Sequence, residues 1–171
     1  MRIALIAHDS RKELMAQFCT AYLRILSENE LVATGVTGKI VHDATGLPVR
    51  CLYPGGRGGA EQIAAMIGCG EIDMLLFFRD PVSAKPGEPN DVMLLRLCDM
   101  HTIPVATNIA TAEVLIHGLE RGDLDWRDIV HPQNSNIQTR NAISVRYSVF
   151  FAFIDKNAMR VFRWVKPFRS P

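Results

Sequence analysis

Arg2-Ile-Ala-Leu-Ile-Ala7 is a short, unbroken apolar run that stops at once on His8-Asp9-Ser10. A strand covered on both faces reads this way, with no polar residue at alternate positions. The next stretch has a different period. Between Arg11 and Leu26 the apolar residues Leu14, Met15, Phe18, Tyr22 and Ile25 recur at helical spacing. Ser10 before it, with Glu13 three residues on, predicts an N-cap and capping box. The same couplet then repeats. Leu31-Val-Ala33 is a second strand, Lys39–Thr45 a helix stopped by Gly46, and Val49–Leu52 a third strand. A helix through Ile63, Ala64, Met66 and Ile67 ends at Gly68 and Gly70. Ile72–Phe78, interrupted only by Asp73, is the bulkiest run and is expected to be a central strand. A loop with Pro81, Pro86 and Pro89 leads to a helix over 91–100, a fifth strand over 103–106 and a last helix over 110–119.

Strand–helix alternation of this kind predicts an α/β fold with a five-stranded parallel sheet and helices on both faces. In such sheets ligands bind outside the carboxyl ends of the strands. The unusual residues fall there: His8-Asp9, Thr34-Gly35, Pro54–Gly59, Arg79-Asp80-Pro81 and Thr107-Asn108 each follow a strand.

The chain has 171 residues, 48% hydrophobic and 22% charged, which fits a folded protein with one sizeable domain and excludes a disordered one. Its net charge of +1 conceals a division. Residues 1–130 carry 12 Lys and Arg against 17 Asp and Glu, whereas residues 131–171 carry 7 against 1 and hold 7 of the 13 aromatic residues. The expected organisation is therefore an α/β domain over 1–130 and a basic, aromatic C-terminal extension over 131–171 of unassigned fold. No run approaches the ~18 apolar residues of a membrane span, and Met1–Ala7 lacks the pattern of a signal peptide. Cys19, Cys51, Cys69 and Cys98 form no CxxC pair, as expected of free thiols in a cytoplasmic protein.

Thr34-Gly35-Val36-Thr37-Gly38 runs from a strand into a helix. Such a turn exposes backbone N–H groups at the positive end of a helix dipole, an arrangement that holds phosphate, or merely caps the helix. Gly55-Gly56-Arg57-Gly58-Gly59 uses four of the chain's 12 glycines, implying close backbone approach or a mobile loop. It matches neither GxGxxG nor the Walker pattern. Lys12 can add a point charge to an anion, and His8 sits at a strand end. Asp80 is the carboxylate best placed for a site. No metal-ligand spacing and no Ser-His-Asp or Cys-His pattern occurs.

Ile6-Ala-His-Asp9, Lys12, Ala33-Thr-Gly-Val-Thr-Gly38, Ala44-Thr-Gly46, Gly58-Gly59, Phe78-Arg-Asp-Pro81, Leu95-Arg-Leu97 and Ile103-Pro-Val-Ala-Thr-Asn108 closely resemble the methylglyoxal synthase family. The resemblance runs in order from residue 1 to about 128. It implies a metal- and cofactor-free lyase, usually a homohexamer, that converts dihydroxyacetone phosphate to methylglyoxal and phosphate. It places His8, Lys12, Thr34, Gly35, Val36, Thr37, Pro54 and Gly55 around the substrate. Val36 stands where the family usually has Thr, and Pro54 where it has Ser.

Departures touch the chemistry as well. The reaction removes a proton beside a carbonyl, forms an enediolate and expels phosphate, which needs a carboxylate base and an electrophile. The family's base, an Asp directly after Gly-Gly, is here Ala60; its catalytic His is Gly87 and a nearby Asp is Asn90. Asp80 and Glu61 are the candidate substitutes, with Glu88 and Asp91 beside the altered loop positions. Glu61 follows Ala60 but projects about 100° around a helix from it, so it reaches substrate only if the Gly-rich turn rearranges. Two functions are thus expected to compete: a lyase with an altered acid–base set, and a noncatalytic phosphometabolite-binding module like the related domains that regulate carbamoyl phosphate synthetase. For the extension, a β-hairpin over 142–165, an oligomer-contact arm and a shifted reading frame are open readings. Binding to membrane or nucleic acid has no firm support.

Overall fold

A computed structural model describes residues 1–82 and 91–127. The anticipated extension, with its hairpin, and the positions Gly87, Glu88 and Asn90 lie outside the described residues. Five strands, β1 (Arg2–Ala7), β2 (Glu30–Ala33), β3 (Val49–Cys51), β4 (Met74–Phe78) and β5 (Val105–Ala106), form one sheet in the order β3-β2-β1-β4-β5. Every pairing is parallel. The sequence-based expectation of a five-stranded parallel sheet is met. β4 is an interior strand, as its bulk implied, although β1 holds the middle.

Among the described residues five helices connect the strands, α1 (Lys12–Ala21), α2 (Leu23–Ser27), α3 (Gly35–Thr45), α4 (Gly59–Gly68) and α5 (Asp91–Met100), and α6 (Ile109–Glu120) follows the last. Alternation along the strands sorts them into two layers. Ile3, Leu5 and Ala7 of β1, with Met74, Leu76 and Phe78 of β4, pack against α1, α2, α3 and α6. Ala4 and Ile6, with Leu75 and Phe77, face α4 and α5. Helices therefore cover both faces, which is why these strands carry no polar alternation. Asp73 stands just before β4 because its carboxylate accepts the Arg2 N–H at 2.7 Å, closing the amino end of the β1–β4 seam.

Three local expectations change. Ser10 does not cap a helix: Asp9–Arg11 is a 3-10 turn, Arg11 occupies the N-cap of α1 without a side-chain bond, and the Ser10 hydroxyl goes elsewhere. The helix over 11–26 divides at Tyr22, whose backbone leaves the helical region (φ −106°, ψ 25°). Its ring lies 4.8 Å from that of Phe18 and meets His117 edge-on at 5.5 Å. α3 begins at Gly35, four residues before the predicted start, because its first turn is the Gly- and Thr-rich segment itself.

Thr102 is the one described non-glycine residue with positive φ, at 51°. Its carbonyl accepts a bond from Nη1 of the buried Arg127, which pins the turn leading to β5. A β-branched residue in this conformation is strained by roughly 1–2 kcal/mol. Thr102→Gly is expected to raise stability by about 1 kcal/mol and Tm by about 3 °C. Unchanged or lower Tm in thermal unfolding would show that the strain is compensated.

All four cysteines are free, with Cys19 and Cys98 buried and Cys51 and Cys69 exposed. Burial pushes the Cys19 thiol up to about 12 and the Cys98 thiol up to about 11. Both remain protonated, and so poor nucleophiles, well above neutral pH. Alkylation at pH 8 followed by mass spectrometry should label two thiols in the folded protein and four after denaturation. Rapid labelling of Cys19 would contradict this packing.

Candidate functional site

Parallel strands end on one side, so the five polar loops gather over the carboxyl edge of the sheet. The chain leaves β1 toward β2 on one hand and leaves β4 toward β5 on the other. The β1–β4 seam is therefore the point at which the connections diverge, where a crevice opens in such sheets. His8 and Asp80 flank it. The His8 N–H donates to the Phe78 carbonyl at 3.0 Å, continuing the strand ladder for one step. Beyond that the Asp80 N–H donates to His8 Nδ1, also at 3.0 Å. An Nδ1 that accepts carries no proton, so the neutral ring holds its proton on Nε2. The imidazole meets the Phe77 ring edge-on at 5.3 Å. Both residues are buried, His8 with 4% and Asp80 with 7% of its surface exposed.

The Asp80 carboxylate is anchored at both oxygens. Oδ2 accepts from Ser10 Oγ at 2.7 Å, and Oδ1 from the Val82 N–H at 3.1 Å. A carboxylate has about four acceptor directions, so two such bonds fix its plane without exhausting its capacity. Lys12, at the start of α1, pairs with Asp9 through Nζ. Its side chain is mostly buried while Asp9 is half exposed, so its charge stays close to the strand ends.

The second half of the crevice is made of backbone. At the head of α3 the Gly35 N–H donates to the Tyr53 carbonyl at 3.0 Å. The Val36 and Thr37 N–H groups have no acceptor within the helix, as first-turn donors. Thr34 and Thr37 are buried, with the Thr34 hydroxyl donating to that of Thr37 at 3.2 Å. These donors lie at the positive end of the α3 dipole, an electrostatic setting for a phosphate group.

Two glycines press this turn against the loop after β3. A Cβ on Gly35 would lie 2.7 Å from the Leu52 carbonyl oxygen, and one on Gly59 would lie 1.9 Å from that of Tyr53. Neither position admits a side chain with this backbone. Pro54 and Gly55 follow Tyr53 directly, entering a 3-10 turn over Gly55–Arg57. The Thr34–Thr37 and Pro54-Gly55 motifs, separate in sequence, are therefore held side by side.

The carboxylate substitutes are placed differently. Ala60, 1% exposed, lies in the core layer with Ile6, Ile63 and Phe77. Glu61 is exposed on the first turn of α4. Asp80 thus belongs to the described crevice, whereas Glu61 faces solvent. The Thr107-Asn108 loop contributes its Thr107 carbonyl to the Arg79 N–H at 3.3 Å, while the Asn108 side chain caps α6 by accepting from the Thr111 N–H. Among the described residues, no group of three His, Cys, Asp or Glu side chains is arranged to hold a metal ion. No helix among them is long and apolar enough to cross a membrane.

Three participants escape a reading of sequence alone. Ser10 looks like a helix cap but bonds Asp80. Tyr53 matters through its backbone, whose carbonyl accepts from the Gly35 N–H and whose N–H donates to Gln62 Oε1 at 2.8 Å. Asp9 pairs with Lys12. The only signal in sequence was the density of small residues at 35 and 55–59.

Comparison with known proteins agrees with this fold. The model of the MGS-like domain matches residues 15–107. Methylglyoxal synthase of Caldicellulosiruptor saccharolyticus is 58% identical over 133 residues, 78% of this chain and 94% of that protein. The enzyme of the same name from Oceanobacillus iheyensis is 57% identical over 130 residues, 76% and 93% of the two chains. The crystal structure of methylglyoxal synthase from Elizabethkingia anophelis NUHP1 superposes with a TM-score of 0.66 at 34% identity, covering 67% of this chain and 76% of that one. With a family model spanning over half its length and relatives matched nearly end to end, this chain belongs to the methylglyoxal synthase family.

Proposed function

We propose that the chain binds dihydroxyacetone phosphate over the carboxyl ends of β1–β4 and eliminates its phosphate to give methylglyoxal, slowly for its family. The observation that supports this reading is buried Thr34 and Thr37 at the head of α3, pressed against Pro54-Gly55 and adjoining the His8–Asp80 seam. The phosphate sits at the α3 N–H groups, with Lys12 supplying opposite charge. Asp80 takes the proton from the carbon beside the carbonyl. Electrons of that C–H bond form the enediolate, its collapse breaks the C–O bond to phosphate, and the enol left behind takes up a proton at its terminal carbon to become methylglyoxal.

Slow turnover follows from Ala60. A buried methyl group stands where the family carries its base, and exposed Glu61 does not replace it. General acid–base groups contribute about 10²–10⁴-fold each. The same methyl favours a second reading, a noncatalytic module that senses a phosphorylated metabolite. Assembly as a homo-oligomer, a hexamer by family resemblance, and a cytoplasmic setting accompany either reading, as does the division into a 1–130 domain and a 131–171 extension.

Incubating purified protein with dihydroxyacetone phosphate and assaying methylglyoxal separates them. The lyase reading expects product, lost by about 10²-fold or more in Asp80→Asn. Restoring the family pair, Ala60→Asp with Gly87→His, should raise the rate by at least about 10²-fold. Saturable binding without product selects the sensor. Lys12→Ala and Thr37→Ala should each weaken binding about tenfold, the loss of one charged or hydrogen-bonding contact. No binding of the substrate or of inorganic phosphate would sink both readings.

A further inference from the structure

Ser10 carries a hydrogen bond that its place in sequence does not explain. It lies three residues beyond β1, where it would cap the following helix, yet its hydroxyl crosses to the loop after β4 and donates to Asp80 Oδ2 at 2.7 Å. We propose that Ser10 is a positioning residue: acting through Asp80, it holds His8 in the neutral tautomer with its proton on Nε2.

The chain of contacts is short. The β1–β4 register ends at the pair Ala7–Phe78, and the Arg79 N–H turns to the Thr107 carbonyl on the other side. Asp80 is therefore the first residue of its segment whose N–H meets no strand partner. That N–H is aimed at His8 Nδ1, and a peptide N–H can only donate. The ring must offer a lone pair there, which leaves its proton on Nε2. What fixes the direction of the N–H is the Asp80 side chain, clamped by Ser10 on one oxygen and by the Val82 N–H on the other. Val82 lies two residues beyond Asp80 in the same loop, so its bond is local to that loop. Ser10 belongs to the β1 side, one turn from His8 itself, so its bond ties Asp80 to the segment that carries the imidazole. The bonds from Asp80 to the His8 ring and to the Ser10 hydroxyl both cross between the same two loops and together close a ring.

This inference rests on the proposed site only in giving the tautomer a use, since a ring fixed with its proton on Nε2 presents a donor rather than an acceptor at that nitrogen. It can be tested without any ligand. Protein labelled with ¹⁵N-histidine reports the tautomer of each neutral imidazole through its two nitrogen shifts. The other four histidines in the same spectrum report whether a variant remains folded. In the unmodified chain above the titration range, His8 should show one pyridine-like Nδ1 and one pyrrole-like Nε2. Ser10→Ala should draw the two shifts together as both tautomers populate, and Ser10→Thr, which keeps the hydroxyl, should restore them. Affinity for dihydroxyacetone phosphate should fall up to tenfold in Ser10→Ala and recover in Ser10→Thr. An averaged His8 in the unmodified chain overturns the inference, as does a Ser10→Ala spectrum identical to it. A Ser10→Ala protein whose other histidine signals collapse is read through Ser10→Thr, where loss of the His8 signature in a folded protein counts equally against it. Failure of the phosphate site alone leaves the His8 signature in place and abolishes binding in every form, so the two failures are distinguishable.

Discussion

Five residue pairs, Ile3–Met74 through Ala7–Phe78, zip β1 to β4, and the rest of the molecule is arranged by that seam. Because the strands are parallel, each side chain along it is assigned to one of two core layers, and a shift by one residue would exchange the layers. Leu5 and Leu76 belong to the layer under α1, α2, α3 and α6, whereas Ile6 and Phe77 belong to the layer under α4 and α5. Register is thereby fixed by burial on both faces. The seam also sets the site, since His8 and Asp80 are the residues that emerge from its carboxyl end.

The proposed cradle depends on a different constraint, steric rather than hydrophobic. Gly35 and Gly59 both approach the stretch Leu52 to Pro54, each more closely than any Cβ would permit. One residue, Tyr53, accepts through its carbonyl from Gly35 and donates through its N–H to Gln62. Its placement costs the chain two glycines and a glutamine. In return the helix head and the 3-10 turn are preorganised before an anion arrives, so binding need not order them.

Much of this was legible in the chain itself. Apolar runs without alternation announced strands buried on both sides, and the residues at their ends announced where a ligand would lie. The failures share one cause. Ser10 has the sequence of a capping residue, but its hydroxyl found a buried carboxylate contributed from residue 80, and no local pattern records a partner that distant. The early start of α3 was hidden because glycine and threonine are weak helix formers, and the turn is held by Tyr53 rather than by propensity. The split at Tyr22 likewise reflects packing against Phe18 and His117, not a helix-breaking residue. Ala60 and Glu61 were separable in sequence only by a helical angle, and the fold turns that angle into burial for one and exposure for the other.

The strand order has a consequence for how the chain reaches this state. β1, β2 and β3 are neighbours in sequence and in space, so they can pair as they emerge from synthesis, with α1 to α3 covering one side. The opposite side of β1 must wait. Its partner lies 71 residues away along the chain, as the Arg2–Asp73 bond records, and the helices that cover that face, α4 and α5, are also far from β1 in sequence. Closing so long a loop is slow, and meanwhile the face bearing Ala4 and Ile6 is bare and β1 is an open edge. The rate-limiting event in folding should then be the docking of β4, and the species at risk of aggregation is the three-stranded intermediate before it.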